Sequence, residues 1–98
     1  MRCHRTDKNQ KEIVDALRAA GCSVYVTSGV GEDFPDLVVG TPHKPPDWVN
    51  DLGSTILMEV KSKDGKLSEG QRRFISNFKG ACIVVRSIEE ALIAIGKE

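Results

Sequence analysis

The chain has no net charge, few cysteines and no long apolar run, and each shortage excludes a class of protein. Fourteen Lys and Arg residues are balanced by 14 Asp and Glu residues, which excludes a strongly basic protein that binds nucleic acid by charge alone. Three cysteines without a C-x-x-C spacing argue against a disulfide framework and a zinc ribbon, and favour a reducing cytoplasm. The apolar runs, such as 81–85, are far shorter than the roughly 20 residues that cross a membrane. We therefore expect a single domain over residues 1–98, with no membrane partner and no export signal.

What the sequence does contain is an alternation of helix-like and strand-like segments. Apolar residues recur at helical spacing over 7–20, and Gly21 is placed to end that helix. Two capping boxes, in which a serine and the residue three positions later exchange hydrogen bonds with the backbone, predict two further helices. They are Ser68 with Gln71 and Ser87 with Glu90.

Four segments predict strands because they are short, apolar and rich in β-branched residues: 23–27, 36–40, 55–61 and a buried strand over 81–86. The second and third are joined by a connection over 41–54 that contains three prolines and no helix, so we expect them to pair antiparallel. A helix lies between the third and fourth, which predicts a parallel crossover. The order αβββαβα predicts an α/β fold, a small mixed sheet flanked by helices.

Two carboxylates and a lysine are expected to meet at one end of this sheet. Alternation along the third strand puts Glu59 and Lys61 on the face opposite Met58 and Val60, which look like core residues. In an antiparallel pair the start of the second strand lies beside the end of the third, so Asp36 comes close to Glu59. Two carboxylates near a backbone carbonyl, such as that of Val60, are oxygen ligands that suit Mg²⁺ or Mn²⁺. An ammonium beside them can orient or deprotonate an attacking water.

These residues resemble a nuclease signature. Phe34-Pro35-Asp36 followed by Met58-Glu59-Val60-Lys61 looks like the PD-(D/E)XK motif. The segments around this motif resemble the VRR-NUC branch of that superfamily, and the similarity spans nearly the whole chain. The segments are Asn9-Gln10 on the first helix, the apolar run after Pro35-Asp36, and Leu67-Ser68 with Gln71. The resemblance implies a restriction-endonuclease-like core and metal-dependent hydrolysis of phosphodiester bonds, often in branched or flapped DNA.

The resemblance also implies roles for particular residues. Asp36 and Glu59 would be metal ligands, beside the Val60 carbonyl proposed above from the strand geometry, and Lys61 would be the catalytic lysine. Gln71 matches the family's glutamine on the following helix and is a further catalytic candidate.

Simpler alternatives exist for each of these side chains. Glu59 and Lys61 could form only an exposed ion pair, worth about 1 kcal/mol at most. Gln71 could serve only its capping box. Gln10 stands where relatives in the wider superfamily carry a glutamate on the first helix, so it is a candidate contributor, but it could instead satisfy a core carbonyl.

Basic residues follow the proposed site and are the predicted DNA contacts. Residues 61–86 carry seven Lys and Arg against two Asp and Glu. Those nearest the site are Lys63, Lys66, Arg72 and Arg73, which could otherwise be no more than a solvated face. The function predicted is a metal-dependent endodeoxyribonuclease in the cytoplasm of a bacterial or phage-infected cell. The alternative is a nucleic-acid-binding or assembly module that keeps the nuclease fold but has weak activity.

We also expect a homodimer. One small domain of zero net charge offers little surface for a branched substrate, and two copies would double the basic rim. A two-fold interface needs a self-complementary apolar patch, and the long connection supplies the apolar residues Pro45, Pro46, Trp48, Val49 and Leu52. Alternatively, Trp48 folds back onto the sheet of its own chain.

Overall fold

The computed structural model describes residues 4–42 and 54–96 of the chain. Within them the elements follow in the order α1 (His4–Ala19), β1 (Ser23–Val26), β2 (Leu37–Thr41), β3 (Ser54–Val60), α2 (Glu69–Asn77), β4 (Ala81–Val85) and α3 (Ile88–Ala94). This is the predicted order, and every strand begins and ends within one residue of the predicted position. The first helix begins three residues earlier than its apolar pattern indicated. Thr41 and Ser54 are paired strand residues, so the irregular connection is shorter than predicted.

The four strands form one mixed sheet in the order β1-β2-β3-β4. β1 pairs antiparallel with β2, β2 antiparallel with β3, and β3 parallel with β4, so both predicted pairings are confirmed. Leu37 lies opposite Met58 in the register of β2 and β3. Asp36, the residue before Leu37, is therefore at the level of Glu59.

The core lies between one face of the sheet and the helices α1 and α3. It contains Ile13, Val14 and Leu17 of α1, Ala91 of α3, and the strand residues Val24, Leu37, Val39, Met58, Val60 and Val85. Gly21 ends α1 at φ 97°, where the Cys22 and Gly21 amides donate to the Leu17 and Arg18 carbonyls at 3.0 Å. That pair of bonds is a Schellman motif, which favours glycine because of its positive φ.

Two details of the sequence prediction are wrong. The strand over 81–86 is not buried: within the described residues it pairs only with β3, and Val85 is its one buried residue. The capping box at Ser68 is complete, but the one at Ser87 is half formed. The Glu90 amide donates to Ser87 Oγ at 3.1 Å, whereas the Glu90 carboxylate accepts from the Arg86 amide at 2.8 Å. Because β4 ends at Val85, the Arg86 amide lies beyond the strand ladder and takes that acceptor.

Helix α2 differs from the other two helices because none of its residues is buried. Phe74 contacts Phe34 edge-to-face at 5.6 Å between ring centroids and stacks on Phe78 at 5.4 Å. In the described part of the chain, no helix is both long and apolar enough to cross a membrane.

Candidate active site

Asp36 is held at the start of β2 by contacts on both sides. The Thr27 amide donates to the Asp36 carbonyl at 2.7 Å, and Thr27 Oγ1 donates to the carbonyl of the buried Pro35 at 2.8 Å. Across the sheet, the Val60 amide donates to Asp36 Oδ2 at 2.9 Å. The carboxylate is therefore fixed beside the end of β3, where the antiparallel pairing of β2 and β3 predicted it.

Glu59 is the one buried charged residue in the described part of the chain, with 4% of its surface exposed. Gln71 Nε2 donates to Glu59 Oε2 at 2.9 Å, and Lys61 Nζ lies 3.7 Å from the same oxygen. The pKa of Glu59 is raised from 4.5 to about 7, chiefly by burial and then by the negative charge of Asp36, while the positive charge of Lys61 opposes both effects. The simpler alternative of an exposed Glu59–Lys61 pair is wrong, because neither side chain is exposed by more than 20%.

The two carboxyl groups share a hydrogen bond when Glu59 is protonated, which also raises its pKa. Near neutral pH Glu59 is therefore close to the midpoint of its titration, because Lys61 only partly offsets burial and the charge of Asp36. Two neighbouring carboxyl groups with too little positive charge around them bind a proton readily. A metal cation can replace that proton.

The donor set fits a divalent ion that keeps several of its own waters. Asp36 and Glu59 offer hard carboxylate oxygens, which Mg²⁺ and Mn²⁺ prefer. Within 4–42 and 54–96, no group of three or more His, Cys, Asp and Glu side chains is placed to hold a metal. A hydrated Mg²⁺ or Mn²⁺ would fit Asp36 and Glu59, with waters completing the ligands that the described side chains do not supply.

Backbone contacts from distant parts of the chain fix the position of Lys61. Its amide donates to the Val85 carbonyl at 3.1 Å, and Asn9 Nδ2 donates to its carbonyl at 3.1 Å. Arg86 Nη1 donates to the carbonyls of Ser62 at 2.8 Å and Gly65 at 2.6 Å, which holds the turn that follows. We call Asn9 and Arg86 the turn clamp.

Sequence reasoning missed the turn clamp, and no local signal could have found it. Asn9 is separated from Lys61 by 52 positions, and Arg86 from Ser62 by 24. Asn9 entered the sequence interpretation only as a flank of the family resemblance.

Gln71 makes both the capping contact and a contact with the carboxylate site, and its catalytic role stays a prediction. Its Oε1 accepts from the Ser68 amide at 2.9 Å and completes the capping box, while its Nε2 donates to Glu59. Gln10 is not brought to the carboxylates by any hydrogen bond among the described residues. It lies half-buried in a groove between α1 and β1 that Val14, Arg18 and Val26 also line.

The predicted DNA contacts lie in sequence and structure just beyond the site. Lys63 and Lys66 are exposed in the connection between Lys61 and α2. Arg72 and Arg73 are exposed on α2, where Arg73 Nη2 lies 3.9 Å from Glu69 Oε2. The apolar residues proposed for the dimer interface, 45–52, lie outside the described residues. The DNA-contact and dimer assignments therefore remain predictions.

Comparison with known proteins identifies the family of this fold. The family model of the VRR-NUC domain matches residues 2–88. The chain belongs to the VRR-NUC family. A solved structure described as a VRR_NUC domain is 25% identical to this VRR-NUC chain, with a TM-score of 0.68, and the match covers 94% of this chain and 97% of that one. No curated protein sequence matches the chain. The family is one of nuclease domains, so the chain is a nuclease-type domain with the fold predicted from its sequence.

Proposed function

We propose that this VRR-NUC protein is a divalent-metal-dependent endonuclease that hydrolyses DNA and selects branched, flapped or junction structures. One observation carries the proposal: Asp36, Glu59, Lys61 and Gln71 converge at one end of the sheet around a buried carboxylate. Burying a carboxylate beside a second one costs folding free energy, and such perturbed groups cluster at functional sites.

In this proposal Asp36, Glu59 and the Val60 carbonyl hold Mg²⁺ or Mn²⁺. When bound, the ion supplies positive charge to the reacting phosphate and acidity to a water. The Val60 amide holds Asp36 through one oxygen, and Gln71 fixes the rotamer of Glu59. The Lys61 ammonium is oriented by its backbone contacts, and it positions or deprotonates the attacking water and stabilises negative charge on the phosphate.

The substrate is proposed to reach the site along the exposed basic residues. Lys63, Lys66, Arg72 and Arg73 would contact phosphates, so affinity should fall steeply as salt concentration rises. A homodimer would engage two strands at once, and light scattering at micromolar concentration tests it, since a mass near one chain contradicts it. We place this activity in the cytoplasm of a bacterial or phage-infected cell.

A panel of duplex, flap, fork and four-way-junction DNA, each with Mg²⁺, Mn²⁺ or EDTA, tests the activity. Wild-type protein should cleave at least one branched substrate with a metal and none in EDTA. Asp36→Asn, Glu59→Gln and Lys61→Met should abolish cleavage, whereas Glu69→Gln, an exposed acid on α2, should not. Near-native turnover by Asp36→Asn would refute the site assignment.

The alternative is a nucleic-acid-binding or assembly module with weak activity. The observation that favours it is the small number of acidic residues at the site: among the described residues no third acidic side chain joins Asp36 and Glu59. The family resemblance puts Gln10 where relatives in the wider superfamily carry a glutamate. Tight binding of branched DNA without metal-dependent cleavage on any substrate in the panel would support this alternative.

A further inference from the structure

A cavity of about 340 Å³ opens between α2 and the loop that precedes β2. It is separate from the carboxylate pair, and its walls combine aromatic rings with hydrogen-bonding groups. The α2 side contributes Arg73, Phe74, Asn77 and Phe78, and the loop contributes Glu32 and Asp33. We call it the α2 cavity.

The aromatic wall is not needed to close the core. Phe74 and Phe78 stack with an angle of 13° between their rings, and Phe34 meets Phe74 at 77°. Phe78 remains 41% exposed, and no residue of α2 is buried. A partly exposed pair of stacked rings is a suitable platform for a flat apolar surface, such as the face of a base.

The polar wall selects a base rather than a phosphate. Glu32 and Asp33 would repel phosphate oxygens, but their carboxylates accept hydrogen bonds from the amino groups of base edges. Arg73 and Asn77 add donors on the opposite side. The sugar-phosphate backbone would therefore remain outside, near the exposed guanidinium of Arg72.

The acidic side of the cavity is formed by a loop whose backbone dihedral angles are unfavourable for non-glycine residues. Gly31, Glu32 and Asp33 have φ values of 84°, 57° and 64°, a left-handed run that non-glycine residues seldom adopt. The Asp33 carboxylate lies against Gly70, where a Cβ atom would overlap it. A Cβ atom at position 70 would therefore displace the Asp33 side chain from this wall of the cavity.

The cavity lies on the path from the site along α2. Gln71 contacts Glu59, and Phe74 is on the next turn of the same helix. At a rise of about 1.5 Å per residue, Phe78 is about 10 Å along the helix axis from Gln71, a span of about three stacked bases. Phe34 is two residues before Asp36, which ties the aromatic cluster to the same site.

We infer that the α2 cavity binds one unpaired base of DNA a few nucleotides from the cleaved phosphate, and so makes the protein select substrates with an unpaired strand. The inference rests on the proposed function, which supplies the substrate class. It adds the binding site and the structural feature that the site recognises.

The test measures how much one base contributes to binding, by fluorescence anisotropy in EDTA so that no cleavage occurs. A flapped DNA and versions with an abasic site at each unpaired position near the junction are titrated with wild type, Phe78→Ala and Phe78→Leu. At one position, loss of the base should weaken wild-type binding about tenfold, the scale of base–aromatic stacking. The same loss should change binding by Phe78→Ala less than about twofold, because the platform is already gone. Phe78→Leu, which keeps the apolar bulk, should also lose most of the base effect.

Ile93→Ala is the matched control, since it shortens an apolar side chain that is 66% exposed on α3 and should behave as wild type. Three results would overturn the inference: wild type indifferent to every abasic site, Phe78→Ala as sensitive as wild type, or conversion of a dimer to a monomer by Phe78→Ala in light scattering.

Metal-dependent cleavage of the intact flap is measured in parallel. A base effect without cleavage refutes the proposed nuclease function alone, and cleavage without a base effect refutes the α2 cavity alone. Absence of any base effect together with absence of cleavage refutes both.

Discussion

Replacing Glu59 by glutamine should stabilise the metal-free protein at alkaline pH. The carboxylate is 4% exposed, and its pKa is raised from 4.5 to about 7, chiefly by burial and then by Asp36. At about 1.4 kcal/mol per pH unit, that difference corresponds to about 3 kcal/mol. Glutamine keeps the shape of the side chain and an oxygen that can accept from Gln71.

The direction of the pH dependence follows from proton binding. Below about pH 4.5 both the folded and the unfolded chain hold the proton, so Glu59 costs nothing. Between pH 4.5 and 7 only the folded chain keeps it, and stability falls as pH rises. Above pH 7 the folded protein bears the whole cost of the buried charge. The advantage of Glu59→Gln should therefore be near zero at pH 4.5 and about 3 kcal/mol at pH 8.

Urea denaturation in EDTA at pH 4.5, 6 and 8, followed by circular dichroism, measures this difference. Other titrating groups are common to both proteins, so the difference isolates residue 59. The control Glu69→Gln, in which the lost carboxylate is 90% exposed, should show no such trend. Saturating Mn²⁺ should reverse the order by stabilising only the wild type. An advantage that is absent at pH 8, or that does not change with pH, would refute the buried acidic pair.

Three further predictions concern the surroundings of the site. Lys61→Met should abolish cleavage but keep the stabilisation by Mn²⁺ in thermal melts, because the Lys61 ammonium is not a metal ligand. In the wild type, Zn²⁺ should replace Mn²⁺ poorly because the proposed ligands are oxygens. Arg86→Lys should lower turnover about tenfold and the free energy of unfolding by about 2 kcal/mol, because lysine cannot span the carbonyls that the guanidinium holds. Single-turnover assays check the first effect, and urea denaturation checks the second. Gly70→Ala should leave the free energy of unfolding within about 1 kcal/mol of wild type in urea denaturation, because the added Cβ displaces only the end of the exposed Asp33 side chain and alanine favours the helix; Gly29→Ala, with open space around it, is the control.

Local patterns predicted the elements because local forces decide them. Ser68 and Gln71 close a capping box through bonds between neighbours, and Gly21 ends α1 through its own φ angle. The antiparallel pairing of β2 with β3 followed from a connection without a helix. That pairing brought Asp36 to Glu59, and so the main residues of the candidate site could be predicted.

The details that depend on burial could not be predicted in the same way. β4 reads as a buried strand, but its neighbours in space leave it at the edge of the described sheet. The capping box at Ser87 predicted that the Glu90 carboxylate accepts from the Ser87 amide, but it accepts from the Arg86 amide, which lies just beyond the end of β4. The strict alternation of β3 placed Glu59 on the polar face, yet that face is covered at its position.

The sequence by itself determined the order of elements, the antiparallel and parallel pairings, and the approach of Asp36 to Glu59, because period, caps and connection lengths are local quantities. Only the tertiary structure decided how strongly Glu59 is desolvated, which groups clamp the turn after Lys61, and that the rings of α2 face an acidic loop across a cavity. Each of these joins residues far apart in the chain. The physical reason is that burial and through-space contact depend on all neighbours together, and no short stretch of sequence encodes them.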